Sequence, residues 1–168
     1  VSSHSLVLRR PWRCAFDAVV FTNLSQDHLD FHPDIPSYLE AKLLLFTEYA
    51  ADPRKTTVGA VNLDDEFGRQ ILAGATCPVL GYGLDAAAQV RALDVEALAA
   101  GSRFTLVLPD GQAPVRLCLP GTFNVHNALA AAAAAYAMGS GPEIIAAGLE
   151  AMKAVPGRFE PVDAGQPF

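Results

Sequence analysis

The sequence predicts an α/β fold with a mostly parallel sheet flanked by helices and a small antiparallel β insert. Apolar strand candidates alternate with helix candidates through the first half of the chain, which is typical of parallel strands joined by right-handed crossovers. Three strand candidates then follow one another after Gly83 without a helix between them, which predicts antiparallel pairing. A chain of 168 residues is long enough for one domain with a real core.

The first predicted elements are a basic irregular stretch at 9–13, a strand at 17–21 and a helix from about 35 to 50. Asp34 is a suitable N-cap for that helix, and Pro36 fits its first turn. Apolar residues at helical spacing form the expected core face of the helix: Ile35, Leu39, Leu43, Phe46 and Ala50.

The alternation of strand and helix candidates continues with a strand at 56–62, a helix from 64 to about 73 and a strand at 79–82. The carboxylates at 64–66 suit the positive end of a helix dipole. Beyond Gly83 the predicted elements are strands at 90–95, 102–108 and 113–119, a turn at 109–111, and helices at about 124–138 and 142–153.

Composition excludes several classes of protein. The net charge is −6 and no lysine- or arginine-rich stripe exists, so nucleic acid is not an expected partner. Cys14, Cys77 and Cys118 are far apart and odd in number, which predicts buried thiols in a reducing cytoplasm and no disulfide framework or zinc knuckle. No signal peptide or membrane-spanning apolar run is found, so no membrane partner is expected.

A polar run follows the strand at 17–21: Thr22-Asn23-Leu24-Ser25-Gln26-Asp27-His28-Leu29-Asp30-Phe31-His32. Open α/β sheets place ligand crevices past the carboxyl ends of their strands. From the residues alone, three interpretations stay open. They are a metal site around His28, a hydrolase site for two transition metals, for which four histidines are few, and a polar loop capped by Asp27 and Asp30.

This run resembles the signature of the Mur ligases, most closely the branch that adds the third, diamino residue to UDP-N-acetylmuramoyl-L-alanyl-D-glutamate. Further segments agree in order: Val1-Ser2-Ser3-His4, Ala41-Lys42, Val61-Asn62-Leu63-Asp64-Asp65, Gly121-Thr122-Phe123-Asn124-Val125-His126-Asn127-Ala128 and Val155-Pro156-Gly157-Arg158-Phe159-Glu160. The resemblance implies a cytoplasmic enzyme of peptidoglycan synthesis, and hence of cell shape and division. It also implies ATP and Mg²⁺ as cofactors. The carboxylate of the UDP-muramoyl-dipeptide would be phosphorylated, and the amine of a diamino acid would displace the phosphate.

The resemblance implies that His28 and Lys42 are metal-binding catalytic residues, with Lys42 carbamoylated. Lys42 flanks the apolar stripe of its helix, where burial would lower the pKa of its amine. A neutral amine reacts with CO₂ to give an anionic carbamate that is able to bind Mg²⁺. Periodicity alone would also allow an ordinary lysine that extends its ammonium group to solvent.

The resemblance further implies that Asn124, Asn127 and Arg158 bind ATP, with Asn127 as the first choice for the adenine contact. Asn124 and Asn127 are three apart and share a helix face, although helix capping would also explain Asn124. Ser2 and Arg10 would hold the UDP-muramoyl-dipeptide. Leu8 stands where close relatives often carry a polar glutamine.

The phosphate-binding pattern G-x-x-x-x-G-K-S/T is not in the sequence, and none of the three lysines follows a glycine. We therefore expect the 168 residues to be part of a central ATP-binding domain, with the phosphate loop, the UDP-binding domain and the C-terminal domain outside it. Such a chain would be inactive alone and would expose a sheet edge or groove. Two alternatives are a related ligase, such as a folylpolyglutamate type, and a non-catalytic binding module. The sequence predicts neither the oligomeric state nor the amino acid that is added.

Overall fold

In the computed structural model, which describes residues 1–25 and 31–155, six strands pair in sequence order into one sheet. The strands are β1 (Ala18–Phe21), β2 (Val58–Asn62), β3 (Val79–Gly83), β4 (Val90–Leu98), β5 (Gly101–Leu108) and β6 (Gly111–Leu117). The helices are α1 (Ser3–Val7), α2 (Ile35–Leu43), α3 (Glu66–Gly74), α4 (Thr122–Ala137) and α5 (Pro142–Ala151).

The pairing confirms the predicted fold class. Strands β1 to β4 run parallel to one another, whereas β5 pairs antiparallel with both β4 and β6. The antiparallel strands extend the same sheet, because β4 pairs with β3 on one side and with β5 on the other. Phe21, Val61 and Gly81 lie side by side in register, so β1, β2 and β3 finish at one edge of the sheet.

Two hydrophobic clusters cover the sheet, one on each face. Consecutive residues of β2 show the alternation, since Ala60 packs in the cluster under α4 and α5 while Val61 packs in the cluster under α2 and α3. The alanines of α4 permit close approach to the sheet, and Ala132 and Ala133 are fully buried. Within the described ranges, 1–25 and 31–155, no helix is both long enough and apolar enough to cross a bilayer.

Helix α2 begins as predicted but ends early. The Asp34 side chain accepts a hydrogen bond of 2.8 Å from the Ser37 backbone N–H, which confirms the N-cap. The predicted end at Ala50 is wrong, because α-helix stops at Leu43 and a single 3₁₀ turn follows. Thr47 donates its hydroxyl to the Leu43 carbonyl at 3.2 Å and so replaces a backbone donor at this end of the helix.

Helix α1 was not predicted, and it occupies part of a stretch that carries little periodicity. Tyr49 donates its hydroxyl to the Leu6 carbonyl at 2.7 Å, and Leu6 is buried. A contact between residues 43 apart stabilises α1 against the segment after α2. The short helix therefore depends on tertiary packing more than on local preference.

The three cysteines are free thiols. The predicted burial of their thiols is wrong, because Cys14 is exposed and Cys77 and Cys118 are half-buried. Cys14 belongs to the irregular segment before β1, where no sheet or helix covers it.

The two edges of the sheet differ in chemistry. Pro114 lies within edge strand β6, and Glu150 of α5 accepts a hydrogen bond of 2.8 Å from the backbone N–H of Arg116. At the other edge, β1 has the sequence Ala-Val-Val-Phe and pairs with β2 alone among the described strands. Proline and a carboxylate thus protect the β6 edge against pairing with a further strand, whereas β1 contains no proline and no charged residue.

Candidate functional site

A crevice of about 530 Å³ opens past the carboxyl ends of β1, β2 and β3, beside the first turn of α4. Its volume lies within the roughly 300–1,000 Å³ of typical small-molecule sites. The position is the one that open α/β sheets use for ligands. The residues that line it are Thr22, Asn23, Asn62, Asp64, Asp65, Tyr82, Phe123, His126 and Asn127.

Hydrogen bonds between the strand ends form the floor of the crevice. Asn62 donates its side-chain amide to the Thr22 carbonyl at 2.8 Å, and Tyr82 donates its hydroxyl to the Phe21 carbonyl at 3.0 Å. Burial raises the pKa of Tyr82 well above its ordinary value, and nearby carboxylates add to this effect. The phenol therefore stays a neutral donor and holds β3 to the end of β1.

Asp65 is a structural residue at the edge of the crevice. Its carboxylate caps α3 by accepting a hydrogen bond of 2.9 Å from the Phe67 backbone N–H. The carboxylates at 64–66 thus lie at the start of the helix, where their favourable interaction with its dipole was predicted. The other oxygen accepts from the Leu24 backbone N–H at 3.4 Å. The start of the polar run at 22–25 is thereby tied to the N-terminus of α3.

Asp64 connects three parts of the crevice. It accepts hydrogen bonds from the backbone N–H groups of Leu84 and Asp85, at 2.7 and 3.0 Å, in the turn after β3. Its Oδ2 atom also lies 2.9 Å from Nε2 of His126 on α4. The sequence argument assigned no role to His126, because its partner lies 62 positions away.

The first turn of α4 presents an amide to the crevice. Gly121 is the N-cap at φ +93°, and a Cβ there would lie 2.5 Å from the Phe123 ring. Asn127 donates to Asn124 Oδ1 at 3.3 Å, so the two side chains share a face as their spacing predicted. Asn124 is half-buried and donates to the Pro120 carbonyl at 2.8 Å, whereas Asn127 is exposed and lines the crevice.

Lys42 lies on α2 with its side chain half-buried. Its Nζ atom is 5.5 Å from the centroid of the Tyr38 ring, and burial lowers the pKa of the amine. Among the described carboxylates, none lies within ion-pair distance of this amine. Because its pKa is lowered, a larger fraction of the Lys42 amine is neutral, and the neutral amine is the form that reacts with CO₂.

A buried polar stack supports the Tyr38 ring. His32 lies parallel to it, with centroids 5.0 Å apart and planes at 17°, and is 4% exposed. His32 Nε2 and Ser3 Oγ share a hydrogen bond of 2.8 Å. His32, which belongs to the polar run, is therefore a packing residue that connects α1 with the start of α2, and no local sequence signal identifies its partner.

Ser2 and Arg10 lie on the N-terminal segment. Ser2 is the N-cap of α1 and accepts a hydrogen bond of 3.2 Å from the Ser5 backbone N–H. Arg10 is exposed just beyond the helix, and its backbone N–H donates to the Ser5 carbonyl at 2.9 Å. Neither residue lines the crevice beside Asn127.

His28 and Arg158, predicted for metal and ATP, lie outside the described residues. Within the parts of the chain that are described, no three histidines, cysteines or carboxylates cluster as metal ligands would. The described site residues thus fall into three groups. Asn124 and Asn127 lie at the start of α4, Lys42 lies against Tyr38, and Ser2 and Arg10 lie at the ends of α1.

Comparison with known proteins identifies relatives of this domain. Residues 1–135 match the family model described as the Mur ligase middle domain. The UDP-N-acetylmuramoyl-L-alanyl-D-glutamate–2,6-diaminopimelate ligase of Geobacter metallireducens is 46% identical over 165 residues, which are 97% of this chain and 32% of that protein. The enzyme of the same name from Streptomyces coelicolor is 45% identical over 171 residues, covering 100% of this chain and 33% of that protein.

A solved structure of a UDP-N-acetylmuramoyl-L-alanyl-D-glutamate–2,6-diaminopimelate ligase has a similar fold. It superposes with a TM-score of 0.83 at 32% identity, covering 94% of this chain and 32% of the solved chain. The chain thus spans about a third of the length of the relatives that it matches.

Proposed function

This chain belongs to the Mur ligase family through its middle domain, and we propose that it is the central part of an ATP-dependent ligase of peptidoglycan synthesis. The proposed reaction joins a diamino acid to UDP-N-acetylmuramoyl-L-alanyl-D-glutamate, as the names of the relatives describe for those proteins. The observation that carries the proposal is the crevice at the carboxyl ends of β1, β2 and β3, with Asn127 at its rim.

ATP fits this crevice through its base. A carboxamide offers one donor and one acceptor side by side, which matches the amino group and ring nitrogen of adenine. Asn127 is exposed to the crevice and is therefore the proposed contact, while Asn124 orients it. Asp64 and Asp65 would repel a triphosphate, so we propose that the phosphates extend away from them. Arg158 is the proposed cation that binds these phosphates.

Mg²⁺, when bound, would neutralise the negative charge that develops during phosphoryl transfer. Lys42 fits a role in holding it, because its half-buried amine has a lowered pKa and no described carboxylate partner. A carbamate on this amine would supply the anionic oxygen that Mg²⁺ prefers. His28 is the second proposed ligand.

The proposed chemistry has two steps. The carboxylate of the UDP-muramoyl-dipeptide attacks the γ-phosphorus of ATP to give an acyl phosphate and ADP. The amine of the diamino acid then forms the amide bond, releasing phosphate and its own proton. Ser2 and Arg10 are proposed to hold the dipeptide substrate, and the exposed guanidinium of Arg10 is suited to a carboxylate or phosphate.

We further propose that the 168 residues are inactive alone. The pattern G-x-x-x-x-G-K-S/T, whose backbone would cradle the phosphates, is not in this sequence. Strand β1 is apolar and unprotected at the sheet edge, which is consistent with a further parallel strand pairing there in a longer protein. The cytoplasm, where nucleotide-linked precursors and ATP occur together, is the proposed location.

The test is a ligation assay with the full-length protein that contains this segment. We expect ATP-dependent coupling of diaminopimelate or lysine to UDP-N-acetylmuramoyl-L-alanyl-D-glutamate, with one ADP released per bond, and none from the 168 residues alone. Lys42→Arg keeps the charge but cannot form a carbamate at neutral pH, so it should lose most turnover. Coupling of glutamate to a folate instead would support the related-ligase alternative, and no ATP-dependent coupling would contradict the proposal. Turnover by the 168 residues alone would contradict their inactivity.

A further inference from the structure

The His126 ring lies between two hydrogen-bond acceptors. Its Nδ1 atom is 3.1 Å from the Thr122 carbonyl oxygen, and its Nε2 atom is 2.9 Å from Oδ2 of Asp64. A carbonyl and an ionised carboxylate have no hydrogen to donate, so each ring nitrogen must supply its own. Both contacts are therefore satisfied together only when His126 is an imidazolium cation.

The Asp64 carboxylate is a fixed anchor for this cation. The backbone N–H groups of Leu84 and Asp85 hold its two oxygens at 2.7 and 3.0 Å. A Cβ at Gly83, where φ is +154°, would lie 2.7 Å from Oδ2 of Asp64, so the absence of a side chain there lets the carboxylate approach. The anchor thus belongs to the end of β2 and the turn after β3.

The start of α4 lacks a side-chain N-cap. Its N-cap, Gly121, has no side chain to bond the first backbone N–H groups. His126 is the residue next to Asn127, and its pair with Asp64 ties this turn to the strand ends across the crevice. The side chains of the pair are only 28% and 24% exposed, so the contact is partly shielded from solvent.

The neighbouring charges leave His126 as the partner of Asp64. Asp65 is occupied by the backbone N–H groups of Phe67 and Leu24, and Asp85 pairs with Arg69 at 3.0 Å. Apart from His126 and Tyr136, α4 contains no titratable side chain. Protonation of His126 therefore allows the second hydrogen bond to Thr122 and strengthens the contact with Asp64 by adding a positive charge.

We propose that His126 is a positioning residue of the nucleotide crevice, which in its protonated form latches the first turn of α4 to Asp64 and so orients Asn127 toward the base. The inference rests on the proposed function, since it assigns a regulated contact to the ATP site. Its consequence is that ATP affinity contains a component that follows the protonation of His126. A neutral His126 keeps one ring N–H, so loss of the proton removes one of the two hydrogen bonds together with the positive charge that strengthens the contact with Asp64. Asn127 is then less well oriented.

The test compares ATP dissociation constants of the full-length protein between pH 5.5 and 8.5. His126→Gln is the informative variant, because an amide can still donate to Asp64 but cannot gain charge. We expect the ratio of the variant's dissociation constant to the parent's to rise by about threefold or more toward low pH. Titration of the ATP phosphates cancels in this ratio, and Asn127→Ala serves as a control that weakens binding at every pH.

A ratio that stays constant across this range would overturn the inference while leaving the proposed function intact. No ATP binding by the parent at any pH would overturn both. Nitrogen-15 spectra of the parent give a second measurement that needs no variant. Both ring nitrogens of His126 should be protonated when it pairs with Asp64, and the Asn127 amide signal should shift with the same midpoint. An Asn127 signal that does not change with His126 protonation would also overturn the inference.

Discussion

Nε2 of His32 lies 2.8 Å from Oγ of Ser3, and both side chains are almost completely excluded from solvent. The bond joins α1 to the segment before α2, across 29 residues of sequence. Because His32 also stacks on Tyr38, this bond helps to set the ring against which the Lys42 amine lies. A buried polar pair thus supports a residue proposed for metal binding.

Ser3→Ala should lower the free energy of unfolding by about 1–3 kcal/mol, because a buried polar group loses its partner. Urea denaturation followed by circular dichroism measures the change. Ser5→Ala is the matched control, because the Ser5 hydroxyl bonds the exposed Ser2 hydroxyl, at 2.9 Å, and no other group in the described part of the chain. This substitution should cost less than about 0.5 kcal/mol. Equal effects of the two substitutions would show that the buried hydrogen bond contributes no more to stability than the exposed one.

The free energy of unfolding should rise with pH in the range between the lowered pKa of Lys42 in the folded protein and its usual value near 10.5. In that range the unfolded chain binds more protons than the folded one, so deprotonation favours folding. Lys42→Met removes this component, and the difference between the two stability profiles isolates it. Profiles that stay parallel up to pH 10.5 would contradict the effect of burial.

Carbamate formation at Lys42 gives a separate measurement. With ¹³C-labelled bicarbonate, the full-length protein should show a carbamate carbon signal that strengthens as pH rises and the neutral amine becomes more abundant. Lys42→Arg should lack it, whereas Lys55→Arg should retain it, because Lys55 pairs with Asp17 at 2.6 Å on the surface. A signal that survives Lys42→Arg would assign the carbamate to another amine.

Gly121→Ala should destabilise the protein by about 1–3 kcal/mol, because φ is +93° there and a Cβ would meet the Phe123 ring at 2.5 Å. Gly148→Ala is a control of the same chemistry within α5. Nothing lies within 4 Å of a Cβ at Gly148, so alanine should stabilise the helix by about 0.5–1 kcal/mol. Opposite signs in thermal denaturation are therefore expected, and equal signs would refute the backbone argument.

Asn127→Ala should weaken ATP binding by the full-length protein about tenfold or more, because a bidentate amide contact to a base is worth roughly 1–3 kcal/mol. The stability of this variant should change little, since the side chain is exposed and, among the described residues, hydrogen-bonds to Asn124 alone. Asn124→Ala should act differently, lowering stability as well, because its amide holds the Pro120 carbonyl at 2.8 Å. Calorimetric titration with ATP and urea denaturation separate the two effects.

Local patterns in the sequence determined the fold class and most of the elements. Strand and helix periodicity, the cap at Asp34, and the glycine that opens α4 act within a few residues. Each can therefore be recognised without knowing the rest of the chain. The ordered motifs from Val1 to Glu160 also carried the family, which the comparisons confirmed. Asn124 and Asn127 share a face because helix geometry alone places residues three apart together.

Only the tertiary structure decided the early end of α2, the existence of α1 and the partners of the histidines. These features depend on contacts between distant positions: Leu6 with Tyr49, Ser3 with His32, and Asp64 with His126. The energy of a buried or charge-assisted hydrogen bond depends on which groups the fold brings together and how far water is excluded. A local sequence pattern specifies neither the partner of a side chain nor its exposure to water. The sequence therefore placed His32 and His126 in motifs, but it could not show that His32 is a buried packing residue or that His126 pairs with Asp64.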